Sequence, residues 1–181
     1  FENVATMSNE NKNKIDEISG VNGIYINSGD FCAQNRKRYY WTNIEIKNMD
    51  KKNMKIKDIL EENPKIKIYP SEKLDIHILK ESETNGVITL NPRRKDGRQT
   101  YQQDRIYLSD GKMPALTANL ANRFYIKDES VIRKLTIREL ARLQTIPDKY
   151  DFSVVSDLAA SKAIGNGWTI DVIAHILGGL K

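Results

Sequence analysis

Two arginines one residue apart, Arg36 and Arg38, lead into an aromatic run in AQNRKRYYW at 33–41. Read as a strand, the run sends alternate side chains to opposite faces, so both guanidinium forks point the same way. Two permanent charges side by side need an acceptor, either a phosphate or the carboxylates of an ion pair. The single cysteine, Cys32, excludes an internal disulfide framework. With only His77 and His175 beside it, no zinc site can be assembled, and no metal is expected. A lone thiol points to a reducing, cytoplasmic setting.

The basic residues are bunched, in NRKR at 35–38, KKNMKIK at 51–57 and RRKDGR at 93–98, within a chain of formal charge +5. Bunched cations with interleaved aromatics suit a polyanion such as nucleic acid; lysines that merely solvate the surface are the plainer alternative. No apolar run is long enough to cross a bilayer, so no membrane partner is expected. The chain opens on FENVATM, without an initiator Met, and an upstream portion is expected, on this chain or another.

The elements that must position these groups follow from pattern. SNENKNKIDEISG at 8–20 predicts a helix capped by Ser8, with Ile15 and Ile18 on one face and Gly20 as the stop. NGIYINS and RYYWTNIEIK predict strands around a GDFCAQN loop, and KIKIYP and GVITL predict short strands. RIYLSDGKMPALTA predicts a hairpin turning at Asp110-Gly111, with Pro114 making its second strand an edge. KLTIRELARLQTIPDKY predicts a helix with Thr136 as cap, Glu139 completing a capping box, Leu135 and Leu140 as hydrophobic staple, and Pro147 ending it. A further helix is expected from Ser156 to Gly165. A last one runs through TIDVIAHIL, where Val172, Ile173, Ile176 and Leu177 form a stripe that must be covered, from within the chain or outside it.

Four segments in order resemble the cytosine-5 DNA methyltransferases: FENV at 1–4, QNRKR at 34–38, RKLTIRELARLQTIPDKY at 133–150 and GNGWTIDVIAHIL at 165–177. They look like that family's Glu-Asn-Val motif, its Gln-x-Arg-x-Arg motif, a helix of its recognition domain, and its final motif. The resemblance implies an α/β fold: residues 1–46 as the end of a Rossmann-like S-adenosylmethionine-dependent methyltransferase domain, 47–150 as a small β-rich target-recognition domain, and 151–181 as a return to the catalytic domain. The family's Gly-rich cofactor loop and Pro-Cys catalytic loop are not in these residues. The nucleophile and most of the S-adenosylmethionine site are therefore expected in a missing N-terminal half or complementary subunit, and the chain alone is expected to be inactive.

The resemblance also implies site roles. Glu2 would hydrogen-bond ring nitrogen 3 and the exocyclic amine of a flipped cytosine, sharing a proton with the ring. Arg38 would donate to oxygen 2, and Arg36 would reinforce the field and steady the catalytic loop. Cys32, two residues before Gln34 and without a Pro-Cys context, reads as a buried inert thiol rather than the nucleophile. Asn166, Gly167 and Trp168 would close the cofactor pocket. For double-stranded DNA, Arg93, Arg94 and Arg98 suit phosphates or guanine edges, Gln102 and Gln103 suit adenine, and Thr117 and Asn119 would reach a groove. Arg133, Arg138 and Arg142 read as structural. The setting implied is prokaryotic or phage-encoded, such as restriction-modification. A non-catalytic recognition or scaffold subunit, and the RNA-modifying branch of the same family, are the alternative readings.

Overall fold

The structure is a computed structural model and describes residues 1–48, 50–66, 82–90, 96–98, 100–119, 123–129 and 131–180. The architecture is mixed α/β. Strand β1 (Glu2–Val4) leads to helix α1 (Asn9–Ser19), then to β2 (Ile24–Asn27), β3 (Gln34–Asn35) and β4 (Lys37–Tyr40). β1, β4 and β2 form an antiparallel sheet in that order. Helix α1 begins where expected, with the Ser8 hydroxyl accepting from Asn11 N–H at 3.2 Å, and stops at Gly20, whose φ of 70° is left-handed. No residue of α1 is buried, and Ile18, on its predicted apolar face, is 87% exposed.

Asp16 fastens α1 to the sheet. Its carboxylate accepts from Lys12 Nζ at 2.6 Å, Trp41 Nε1 at 2.6 Å and Gly23 N–H at 3.0 Å. Those partners, Lys12 foremost, hold its pKa down at about 2.

The aromatic run is not one long strand. β4 stops at Tyr40, and Arg36 occupies the break between β3 and β4. The expected hairpin at 105–118 is also absent. Strand β7 (Ile106–Leu108) stays in one sheet, whereas β8 (Met113–Pro114) leaves it to pair in parallel with β3. Long-range bonds override the local turn. Lys112 Nζ donates to the carbonyls of Gly29, Cys32 and Met54 at 2.9, 3.2 and 2.6 Å, drawing the chain across. Pro114, which cannot donate to a ladder, sits on this two-stranded edge.

The second sheet has the order β10-β9-β7-β6-β5, formed by β5 (Ser82–Thr84), β6 (Val87–Thr89), β7, β9 (Tyr125–Asp128) and β10 (Val131–Lys134). β5 and β6 are joined by Asn85-Gly86, both at positive φ (52° and 76°), as a two-residue hairpin turn requires. Most of KIKIYP, from residue 67 onward, lies outside the described residues, as do His77, Arg93 and Arg94.

Helix α2 (Ile137–Leu143) carries the full capping box at Thr136 and Glu139, with Leu135 and Leu140 buried as staple. It ends at Leu143, before Pro147, because Thr145 turns into the left-handed region at φ 54°. Leu140, Leu143, Met113, Leu116, Phe124, Ile126 and Tyr107 share one core with Ile164 of α3 (Asp157–Asn166). Each such side chain contributes about 1.5–3 kcal/mol through burial. α3 runs through Gly165 rather than stopping there, and Gly165 has a packing role: a Cβ would lie 2.6 Å from the Thr117 backbone.

The last helix, α4 (Ile170–Leu177), finds cover for part of its stripe within the chain. Val172 and Ile176 pack on Ile26, Phe31 and Tyr40, while Leu177 remains 49% exposed.

Candidate base pocket and cofactor turn

Register places the acid and the guanidinium together. Glu2 opposes Tyr40 and Val4 opposes Arg38, so Glu2 and Arg38 are diagonal neighbours on one face of the β1–β4 pair. Arg38 Nε lies 2.7 Å from Glu2 Oε1, with the two side chains only 13% and 17% exposed. The contact is ionic: Glu2 Oε1 is buried against the guanidinium and makes no further hydrogen bond. The Arg38 Nη1 fork instead donates to Lys37 O at 2.8 Å. Tyr40 completes the group, its phenol pushed up to about 12 by burial and then by the Glu2 charge.

Arg36 answers its own charge differently. Standing at the strand break, it turns inward, with Nη1 donating to Leu116 O at 2.9 Å and Nη2 to Gly167 O at 3.0 Å. Burial, then the charge of Arg38, hold its pKa below the ordinary arginine value, and Glu2 opposes the shift. It is 6% exposed and clamps backbone carbonyls, so the two forks are not a matched pair facing one ligand.

The turn at 166–168 ends α3. Asn166 is exposed, Gly167 caps the helix at φ −69°, and Trp168 is 52% exposed. The φ is ordinary; what a Cβ at Gly167 would meet is the Ala163 and Ile164 carbonyls, each at 3.3 Å. A cavity of about 270 Å³ opens between this turn and the strand ends, lined by Phe1, Glu2, Tyr40, Trp41, Trp168 and Ile173 among others. Glu2 and Trp168 thus line one space, whereas Arg38, Asn166 and Gly167 are not among its lining residues.

Of the residues expected from the sequence to contact DNA, Arg93 and Arg94 lie outside the described residues. Arg98 is solvated, its Nε 3.7 Å from Asp96. Gln102 and Gln103 begin a 3-10 turn, Gln102–Asp104. Thr117 and Asn119 are exposed and follow Leu116, whose N–H donates to Gln34 Oε1 at 2.8 Å and whose carbonyl is held by Arg36. Thr117, next to the Leu116 carbonyl, is thereby held near the Arg36 side chain. Part of the bunched charge is already partnered: Lys51 lies 3.3 Å from Asp30, Lys52 3.4 Å from Asp171 and Lys57 2.8 Å from Asp110.

Cys32 is fully buried. Its thiol faces the Ser28 carbonyl at 3.2 Å, and burial pushes its pKa up, opposite to what a nucleophile needs. Among the described residues no group of three or more His, Cys, Asp or Glu could hold a metal ion. No helix among them is long and apolar enough to cross a membrane. His175 Nε2 meets the Lys47 carbonyl at 2.9 Å, and its ring stacks on Phe31.

The family model for C-5 cytosine-specific DNA methylase matches residues 1–181. The chain belongs to that family. No curated protein matches it. Among solved structures, the chain is similar to the Dnmt2 methyltransferase of S. pombe (16% identity, TM-score 0.62), covering 98% of this chain and 64% of that one. It is also similar to the Entamoeba histolytica methyltransferase EhMeth (15%, 0.62; 99% and 62%) and to a Spodoptera frugiperda DNMT2 mutant (15%, 0.56; 99% and 65%). The chain thus spans less than two thirds of each of these proteins, and at such identity the likeness shows the fold.

Sequence reasoning missed one of this family member's most connected side chains, Gln144, and its buried partner Thr169. Gln144 is fully buried and bonded to Gln34, Ile164, Gly167 and Thr169. An uncharged polar residue after a helix carries no local signal of partners up to 110 positions away.

Proposed function

We propose that this chain supplies the base pocket, the recognition region and part of the cofactor pocket of an S-adenosylmethionine-dependent DNA cytosine-5 methyltransferase. Residues 1–46 and 151–181 would belong to the catalytic domain and 47–150 to the target-recognition domain. The observation that carries the reading is the Glu2–Arg38 pair, an acid and a guanidinium on one strand face, of which Glu2 lines an open cavity together with Trp168.

Cytosine carbon 5 is a poor nucleophile until a thiolate adds to carbon 6 and makes the ring an enamine. Addition places negative charge on the pyrimidine. Arg38, donating to oxygen 2, and Glu2, sharing its proton with nitrogen 3, would withdraw that charge. The Glu2 carboxyl would also accept from the exocyclic amine, which cytosine has and thymine lacks. A base in a duplex must be swung out to reach such a pocket, at a cost of a few kcal/mol recovered in contacts such as those of Thr117, Asn119 and Arg98.

The donor set fits the cofactor in part. The cavity is mostly apolar and flanked by the Trp168 ring, which suits a flat or aliphatic portion of S-adenosylmethionine, while the Asn166 amide is exposed for its polar end. When bound, S-adenosylmethionine supplies an electrophilic sulfonium methyl. Trp168 and Ile173 would exclude water from it, and Asn166 would orient it.

Because Cys32 is sealed and burial raises the pKa of its thiol, the attacking thiol would come from a complementary segment or subunit. The test is transfer of a radioactive methyl group to duplex DNA and, in parallel, to transfer RNA, by the chain alone and with that complement. Label on DNA only in the presence of the complement is expected. Transfer by the chain alone, or to transfer RNA only, would overturn the reading.

A further inference from the structure

The base pocket and the cofactor turn must be held at a fixed separation for a methyl group to pass between them, and one side chain bonds directly to the turn and, through Gln34, to the segment that leads by Arg36 into β4. Gln144 Oε1 accepts from Gln34 Nε2 at 3.2 Å and from Thr169 Oγ at 2.9 Å. Its Nε2 donates to Ile164 O at 2.9 Å and Gly167 O at 3.2 Å. All four hydrogen-bonding positions of the amide are filled, and its own backbone carbonyl accepts from Ile170 N–H at 2.9 Å.

The Gly167 carbonyl is shared, since Arg36 Nη2 reaches it from the other side at 3.0 Å. The peptide that carries Trp168 is therefore oriented jointly by Gln144 and by the arginine that precedes Arg38 by two residues. Gln34 repeats the link on the strand side: its Nε2 also donates to Leu143 O at 3.0 Å, and its Oε1 accepts from Leu116 N–H.

We propose that Gln144 is a positioning residue that sets the distance between the Glu2–Arg38 pocket and the Gly167–Trp168 turn, and so aligns base and methyl donor. This rests on the reading of those two sites given above. A buried network with every donor and acceptor satisfied has a single geometry, whereas loss of one member frees several others at once. A misplacement of about 1 Å between reacting groups costs on the order of 100-fold in rate.

Two variants test it, Gln144→Ala and the milder Thr169→Val, which removes one donor to Gln144 while keeping its shape. In the enzyme completed by its complementary segment, Gln144→Ala should lower kcat by about 10- to 100-fold with little change in KM for DNA or S-adenosylmethionine, and Thr169→Val should lower it less. Wild-type inactivity would refute the parent reading; an active wild type with unchanged kcat in both variants would refute this inference alone.

A second readout needs no activity. With 5-fluorotryptophan in the 181-residue chain, whose two tryptophans are Trp41 and Trp168, the Trp168 fluorine resonance should shift or broaden in both variants while that of Trp41 stays fixed. An unmoved Trp168 resonance in Thr169→Val, or equal shifts of both resonances in that variant, would overturn the proposal even if Gln144→Ala does not fold.

Discussion

Removing the Glu139 carboxylate should destabilise the chain more than loss of any surface ion pair. Glu139 is fully buried, and its two oxygens accept from Arg133 Nη1 and Nη2, both at 2.8 Å, from Thr136 N–H at 2.8 Å and from Glu61 N–H at 2.9 Å. It therefore joins β10, the start of α2 and the segment at Glu61. In Glu139→Ala the Arg133 guanidinium, 4% exposed, is left as a buried charge with only the Lys134 carbonyl, which costs about 3–5 kcal/mol. Loss of the capping-box half is included in that range, since the same carboxylate serves both. At about 2–4 °C per kcal/mol for a chain of this size, Tm should fall by roughly 6–20 °C. The double variant Arg133→Met/Glu139→Leu removes both charges and should recover part of the loss. It leaves two backbone N–H groups unmatched at about 1 kcal/mol each, so roughly 2 kcal/mol of destabilisation should remain. Urea unfolding of wild type, Arg133→Met, Glu139→Leu and the double variant gives the coupling energy directly. If Glu139→Ala unfolded within 1 kcal/mol of wild type, or if the double variant were the least stable of the set, the assignment of this pair as a buried lock would be wrong.

Other expectations follow from single sites. Asp16, with its folded pKa lowered to about 2 from an ordinary 3.8, contributes stability that is complete above pH 4 and lost as pH falls towards 2; Trp41 emission should change across that window and be insensitive to it in Asp16→Asn. Gly165→Ala would put a Cβ 2.6 Å from the Thr117 carbonyl carbon, where backbone cannot yield cheaply, and should cost about 1–3 kcal/mol by overpacking, visible as a lowered urea midpoint. Cys32 should react with a thiol reagent orders of magnitude more slowly in the folded chain than in urea; equal rates would contradict its burial.

Where a signal was local, it was legible. The Ser8 and Thr136 caps, the Gly20 stop and the α4 stripe depend on residues within a few positions of one another, and the helices formed there. The strands were harder. Met113-Pro114 was drawn off its expected hairpin because Lys112 found three carbonyls far away in sequence, an outcome no turn propensity encodes. The Asn85-Gly86 turn was a readable signal that went unread. In the site, residue identity pointed to Glu2 and Arg38, and their meeting required the β1–β4 register. The alternation argument for Arg36 failed because the strand breaks at that residue, freeing its side chain to turn towards Leu116 and Gly167.

The pairing of Glu2 with Arg38 is tested most directly by single-turnover methyl transfer in the completed enzyme carrying Glu2→Gln, with DNA affinity measured alongside. Gln keeps the shape and an acceptor but cannot share a proton with the ring. The rate should fall by about 100- to 1,000-fold while the DNA dissociation constant stays near that of wild type. An undiminished rate would remove Glu2 from the chemistry, and with it the reason for placing a pyrimidine against this acid and Arg38.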